Sequence, residues 1–314
     1  IILLKNHGGI LPLSMSEINS IAVIGKDIYY SEGIASISPE DPGSVTTPLH
    51  GISRLAGDSI RIYASTSMGQ KAVDAATNAD VAIVFVAQPE VKTYIEAYCD
   101  ISPQSQMIRT IYEVNPNTIV VLQTDSAVNI EDWAFDIPAI LQAWVPKAES
   151  GDEIASVLFG EEEPEGKMPF TWTMNENQNY EPRFPFGHGL SYATIGIGKL
   201  MMRRERDNSG WTATVETNNL GSRKGSEVLQ LYINSVDDRL PQDELKIKAF
   251  NNVTLLPGQK KTVAIKVPYQ RFERYDTQSN TWILEQGLFE ILIGTSLGEI
   301  KLRKTIEVSV SLRE

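Results

Sequence analysis

DVAIVFV (80–86), SPQSQMIRTIYEVNPN (102–117), NTIVVLQT (117–124) and PAILQAWV (138–145) decide the fold of this 314-residue chain. The first is a continuous apolar run of strand length, the pattern of a strand buried on both faces. The second predicts a helix that Ser102 can cap, that Pro103 can open and that Pro116 helps to stop. Met107, Ile111 and Val114 then fall on one face. The third and fourth read as two more buried strands. In parallel sheets ligands bind at the carboxyl ends of the strands. The loop there, 87–101, is polar and carries Glu90, Glu96 and Asp100. Any chemistry of this domain is expected in that loop.

Upstream, IAVIGKD (21–27) predicts a first buried strand. The long irregular loop after it (29–46) is rich in glycine, serine and proline, and loops of that length are often functional. Thr47 can cap and Pro48 can open a helix over TPLHGISRLAG, with Gly57 as its stop. SIRIYAS (59–65) reads as a strand and GQKAVDAATNAD (69–80) as a small-residue helix. Downstream, Ser150 and Glu153 suit a capping box for a helix whose Ile154, Val157 and Leu158 face the sheet. ILLKNHGGILPL (2–13), with its Gly-Gly turn and proline, reads as a connector. Alternating strands and helices predict an α/β layer with a mostly parallel sheet over residues 1–175.

The pattern changes near Thr173. Residues 176–198 are polar and aromatic, rich in glycine and proline, and read as a connector packed on the surface. FPFGHGLSY (184–192) carries too many aromatic residues to leave in water and is expected to form an ordered strap. From Lys199 the apolar period is two: Trp211, Ala213 and Val215; Val263, Ile265 and Val267; Ile306, Val308 and Val310. Turn signals separate the runs, so residues 199–314 predict a β-sandwich of the immunoglobulin or fibronectin kind. Asp243 and Glu244 read there as a strand-edge feature.

Composition narrows the function. A net charge of −12 argues against nucleic acid or an anionic membrane surface as partner, and no apolar run approaches the length of a membrane span. A single cysteine, Cys99, rules out an internal disulfide. With three scattered histidines it offers no Cys/His zinc site, and no cofactor is expected. His7, His50 and His188 read as structural residues. GEEEPEGK (160–167) is one residue too long for a phosphate loop, places Met168 where a hydroxyl is needed, and would repel phosphate with four glutamates. The chain begins at Ile1 without a signal-peptide pattern, which reads as a cut or processed end and leaves the compartment open. Acid–base chemistry by carboxylates remains, beside the bland reading of Glu90, Glu96 and Asp100 as a solvated acidic loop.

In order, LLKNHGGILPL, IAVIG, VTTPLHGI, ADVAIVFV, NPNTIVVLQTDSAV, PAILQAWVPKAESGDEIASVLFGEEEPEGKMPFTW and FPFGHGLSY resemble the C-terminal part of glycoside hydrolase family 3, the β-glucosidase-like family. GSEVLQLYI, ELKIKAF, VTLLPGQKKTVAI and GLFEILIGTS resemble that family's fibronectin-like domain. The resemblance implies an α/β-sandwich domain followed by a fibronectin type III-like sandwich. It also implies a partner, the (β/α)8 barrel that carries the aspartate nucleophile, which this sequence does not contain. The family's general acid/base is a glutamate on a loop of the sandwich domain, and Glu96 matches its setting best, with Glu90 as runner-up. Ala97 stands where the family has glycine. The loop after the first strand helps to shape the sugar site, which points to Gly33 and Ser36, while Tyr94 and Tyr98 could wall the acid. The implied substrates are β-linked glucosides or xylosides. Two alternatives stay open: a diverged carbohydrate-binding or regulatory module of the same fold, and a doubly wound domain that binds a small ligand at its strand ends.

Overall fold

The computed structural model describes residues 1–26, 28, 46–87, 101–145, 150–173, 183–237, 240 and 242–309. They form two compact units, the first of residues 1–166 with 172–183 and the second of 167–171 with 184–314.

The first unit is built on a six-stranded sheet. Its strands are β1 (Ile2–Asn6), β2 (Ser20–Ile24), β3 (Arg61–Ser65), β4 (Val81–Ala87), β5 (Thr118–Gln123) and β6 (Ala139–Gln142), in the order β1-β6-β5-β4-β2-β3. From β6 to β3 all neighbours are parallel. One row of the register runs Ile24, Val84, Val120, Ile140, and each of these side chains is fully buried. The β-branched runs form strands without alternating polar residues because successive residues, which point to opposite faces, are all buried.

The helices are α1 (Pro48–Ala56), α2 (Gln70–Thr77), α3 (Ser102–Val114), α4 (Glu131–Ala134) and α5 (Ser150–Leu158). Helix α1 begins as its sequence predicts: Thr47 Oγ1 accepts the His50 N–H at 3.2 Å, Pro48 opens the helix, and Gly57 follows its last residue. In α5, Ile154, Val157 and Leu158 are buried as expected, but Ser150 is already the first residue of the helix and not its cap.

Four expectations fail here: the connector at 2–13, the caps at Ser102 and Ser150, and Val114 on the buried face of α3. Residues Ile2–Asn6 form an edge strand antiparallel to β6, not a connector; Leu3 pairs with Leu141, and Ile2, Leu3 and Leu4 are buried. Lys5 on that strand donates to the Ala134 carbonyl at 3.0 Å, at the carbonyl-rich end of α4. Burial lowers its pKa, Arg183 adds to the shift, and Asp136 opposes it. The cap of α3 is Ile101, so Ser102 is already inside the helix. The buried face of α3 runs through Ser105, Ile108 and Ile111, while Val114 is 40% exposed. Helix α4, unread in the sequence, is fixed by Trp133, whose Nε1 donates to Ser105 Oγ of α3 at 3.1 Å in the interior.

The second unit is the predicted β-sandwich. Strands β7 (Ile195–Arg204), β8 (Gly210–Asn219) and β11 (Lys260–Pro268) form one antiparallel sheet in the order β11-β8-β7. Strands β9 (Gly225–Ser235), β10 (Ile247–Leu255), β14 (Gly287–Ser296) and β15 (Glu299–Val308) form the other, in the order β10-β9-β14-β15. Ala213, Val215, Val263, Ile265, Val267, Ile306 and Val308 all point into the core, as their period of two predicts; Val310 lies outside the described residues.

The outer face of β9 and β14 is buried as well. Tyr232 and Leu292 pack there with Leu245, Leu297 and Phe186. The Tyr232 hydroxyl donates to Gln230 Oε1 at 2.6 Å, and Gln230 Nε2 donates to the Gly187 carbonyl at 3.1 Å. Burial raises the Tyr232 pKa, so the phenol stays a donor. Gly187 takes a φ of 79°, and a Cβ there would overlap the Gln230 amide, so this turn of the FPFGHGLSY strap requires glycine. Within the strap Phe184 and His188 stack with ring centroids 5.2 Å apart, which gives His188 a structural role. Lys167 pairs with Glu227 at 2.6 Å and donates to the Gly189 carbonyl at 2.7 Å, a structural use of the lysine that ends GEEEPEGK. Glu244 lies in a short 3-10 turn, Gln242–Glu244, and not on a strand edge.

Candidate functional site

The six residues singled out for sugar chemistry, Gly33, Ser36, Glu90, Tyr94, Glu96 and Tyr98, lie outside the described residues, as do Cys99 and Asp100. What the described residues define is the frame from which their segments depart. Segment 29–45, with Gly33 and Ser36, follows β2. Segment 88–100, with the two glutamates and two tyrosines, follows β4. These strands are parallel neighbours, Ile24 beside Val84, so both segments leave the same carboxyl edge of the sheet.

Strand order gives that edge its significance. From β2 the chain passes through α1 to β3 on one side; from β4 it passes through α3 to β5 on the other. Connections that part in opposite directions from two neighbouring strands open a crevice between them, the usual ligand position in an open α/β sheet. The α/β alternation announced such a sheet, but where its order reverses was not legible in the sequence.

The crevice edge is held rigidly. Gln104, in the first turn of α3, accepts the Ala87 N–H at 3.1 Å and donates to the Ala87 carbonyl at 3.2 Å. This two-bond clamp joins the last residue of β4 to the helix that receives the chain after residue 100. Ile101 is buried and its carbonyl accepts the Ser105 N–H at 2.7 Å, so the far anchor is fixed too. On the neighbouring strands, Gln142 donates to the Thr124 carbonyl at 2.7 Å, joining the ends of β5 and β6. Gln123, in register with Ala87, is buried, and its amide has no hydrogen-bond partner among the described residues. None of these four polar residues carried a recognisable signal in sequence, because each acts through strand pairing or across a crossover.

The amino edge is locked by one carboxylate. Asp80 Oδ2 accepts the Asn19 N–H at 2.7 Å and, from Ser20, the N–H at 3.0 Å and the hydroxyl at 3.1 Å. The Asn19 bond, supported by those from Ser20 and opposed by desolvation, holds Asp80 below the usual carboxylate range. Among the described residues no group of three His, Cys, Asp or Glu could hold a metal ion. No helix among them is long and apolar enough to cross a membrane.

Residues 1–192 match the family model of the glycosyl hydrolase family 3 C-terminal domain. The chain belongs to glycosyl hydrolase family 3. Residues 227–297 match the fibronectin type III-like domain. Thermostable β-glucosidase B of Acetivibrio thermocellus is 30% identical, over 99% of this chain and 47% of its own length. A β-xylosidase of Formosa agariphila is also 30% identical, over 99% of this chain and 48% of its own. The fold is that of the β-D-glucoside glucohydrolase from Trichoderma reesei, with a TM-score of 0.85 at 24% identity, over 98% of this chain and 54% of that one. The chain thus spans about half the length of these relatives.

Proposed function

We propose that this chain is the part of a retaining family 3 glycosidase that supplies the general acid/base and part of the sugar site. Its partner is a (β/α)8 barrel that carries the nucleophile. Glu96 is the acid/base, with Glu90 as the runner-up. Gly33 and Ser36 line the sugar from the β2 side, while Tyr94 and Tyr98 wall the acid from the β4 side. The substrates are β-linked glucosides or xylosides, in keeping with the names of the 30% identical relatives. The observation that carries this reading is the adjacency of β2 and β4 at the reversal of the strand order, from which both candidate segments depart.

The chemistry needs two carboxyl groups about 5–5.5 Å apart. The barrel's carboxylate attacks the anomeric carbon while the protonated acid gives its proton to the departing oxygen. The same residue, now a base, then takes a proton from the water that releases the sugar. An aromatic wall raises the acid's pKa, so that it holds its proton near neutrality. A clamp at both roots of segment 88–100 suits this role, since misplacement of the acid by about 1 Å can cost 10²-fold.

The test mixes the chain with a family 3 barrel and follows hydrolysis of an aryl β-glucoside. Turnover lost in Glu96→Gln alone supports the assignment; loss in Glu90→Gln alone moves the role to Glu90. Hydrolysis by the chain without any barrel overturns the reading. The second reading, a diverged carbohydrate-binding module, is favoured by Ala97 in place of the family's glycine. It predicts an inactive mixture that both substitutions leave unchanged.

A further inference from the structure

In the fibronectin-like unit, β12 (Glu273–Asp276) and β13 (Thr281–Leu284) form a two-stranded ribbon that belongs to neither sheet. Its register sets Tyr275 directly opposite Trp282. Strand alternation puts both on the same side of the ribbon as Leu284, which packs against the sandwich core. The two rings therefore overhang the core's edge. Their centroids are 5.4 Å apart with the planes at 64°, and Trp282 is 66% and Tyr275 43% exposed.

The ribbon is stiff. At its tip Asp276 Oδ2 accepts the Ser279 N–H at 2.9 Å, the hydroxyls of Ser279 and Thr281 lie 2.9 Å apart, and the Tyr275 hydroxyl donates to Asn280 Oδ1. At its root Arg274 Nε donates to Glu285 Oε1 at 2.7 Å. A large aromatic pair is thus presented to water on a ribbon whose turn and root are cross-linked by hydrogen bonds, which lowers the ordering cost of binding.

The surroundings select the ligand. A protein partner needs a contiguous apolar patch of several hundred Å². Here the rings border a tip of hydroxyls and amides, DTQSNT (276–281). Rings beside hydroxyls and amides match a pyranose, whose C–H face stacks on an aromatic ring while its hydroxyls exchange hydrogen bonds at the rim. Planes at 64° cannot form a flat platform; they suit a chain whose successive sugar units turn. We propose that Tyr275 and Trp282 form a second carbohydrate site, in the fibronectin-like unit, which takes a soluble β-linked polysaccharide. The choice of a β-linked chain rests on the glycosidase reading above.

The test is affinity electrophoresis of the intact chain in gels containing xylan or mixed-linkage β-glucan, with pelleting on microcrystalline cellulose alongside. Retardation is expected in at least one soluble polysaccharide, with no pelleting on cellulose. Trp282→Ala should raise the dissociation constant about tenfold, the scale of one buried aromatic contact, and Trp282→Phe should recover part of it. The same substitution at Phe250, which is 65% exposed on β10, should change nothing. Failure of the wild type to be retarded in either gel, or equal retardation of Trp282→Ala, overturns the proposal. So does binding to cellulose alone, or a dimer that Trp282→Ala dissolves without any glycan binding. No barrel and no turnover enter the measurement, so its failure and that of the acid/base assignment are read separately.

Discussion

Gly51 of α1 lies against Gly151 of α5 so closely that a Cβ on Gly51 would meet the Gly151 carbonyl. From the other side, a Cβ on Gly151 would meet the carbonyls of Thr46 and Thr47. The Gly151 N–H uses that proximity, donating to the Thr46 carbonyl at 3.0 Å. At the surface the same helices are joined by Arg54 and Asp152 at 2.9 Å, both well exposed.

Helix propensity and packing make opposite predictions for Gly51→Ala. Propensity alone favours alanine by about 1 kcal/mol. Overpacking against backbone that cannot move aside costs about 1–3 kcal/mol. The structure therefore predicts a net loss of stability in urea unfolding, while Arg54→Ala should cost at most about 1 kcal/mol. A gain in stability from Gly51→Ala would show that the two helices do not meet there.

The Gln104 clamp is expected to matter locally before it matters globally. Gln104→Ala removes two hydrogen bonds and leaves the Ala87 groups to find water, a loss of about 1–2 kcal/mol. The Ala87 amide should then exchange faster in a hydrogen-exchange measurement. Unchanged exchange at Ala87 would count against the clamp.

Asp80 sets a pH dependence whose sign follows from its depressed pKa. A group lowered on folding contributes stability above its unfolded value, about 3.9. That contribution is lost as pH falls through the lower, folded value. The stability deficit of Asp80→Asn should therefore be present at pH 7, stay below about 1 kcal/mol because the site is exposed, and shrink below about pH 4. Urea titrations at both ends of that range measure it. A deficit that grew on acidification would reverse the assignment.

How much was legible depended on how local the determining physics is. Strands β2, β4, β5 and β6 could be read directly, because burial on both faces writes itself as an unbroken apolar run. The start of α1 could be read from Thr47-Pro48, because a cap and its helix are a few residues apart. In the sandwich, Val263, Ile265 and Val267 announced their strand, because one face meets the core and the other meets water. The family motifs named the segments that carry Glu96, Glu90, Gly33 and Ser36.

Contacts between distant parts of the chain were silent in sequence. Ile2–Asn6 is a strand because β6, some 135 residues later, offers it an edge, and a Gly-Gly turn with a proline outweighed that in the local reading. Tyr232 and Leu292 are buried on what alternation would make the wet side, because Phe186 of the strap covers them. Sequence alone determined that β2, β4, β5 and β6 are strands, where α1 begins, and that an α/β unit is joined to a β-sandwich, since each follows from short-range hydrophobic period and capping chemistry. Only the tertiary structure decided that β2 and β4 are neighbours at the reversal of the sheet and that Gln104 grips Ala87. Both are matters of strand order and crossover path, which are set by how whole faces pack and not by any one stretch of residues.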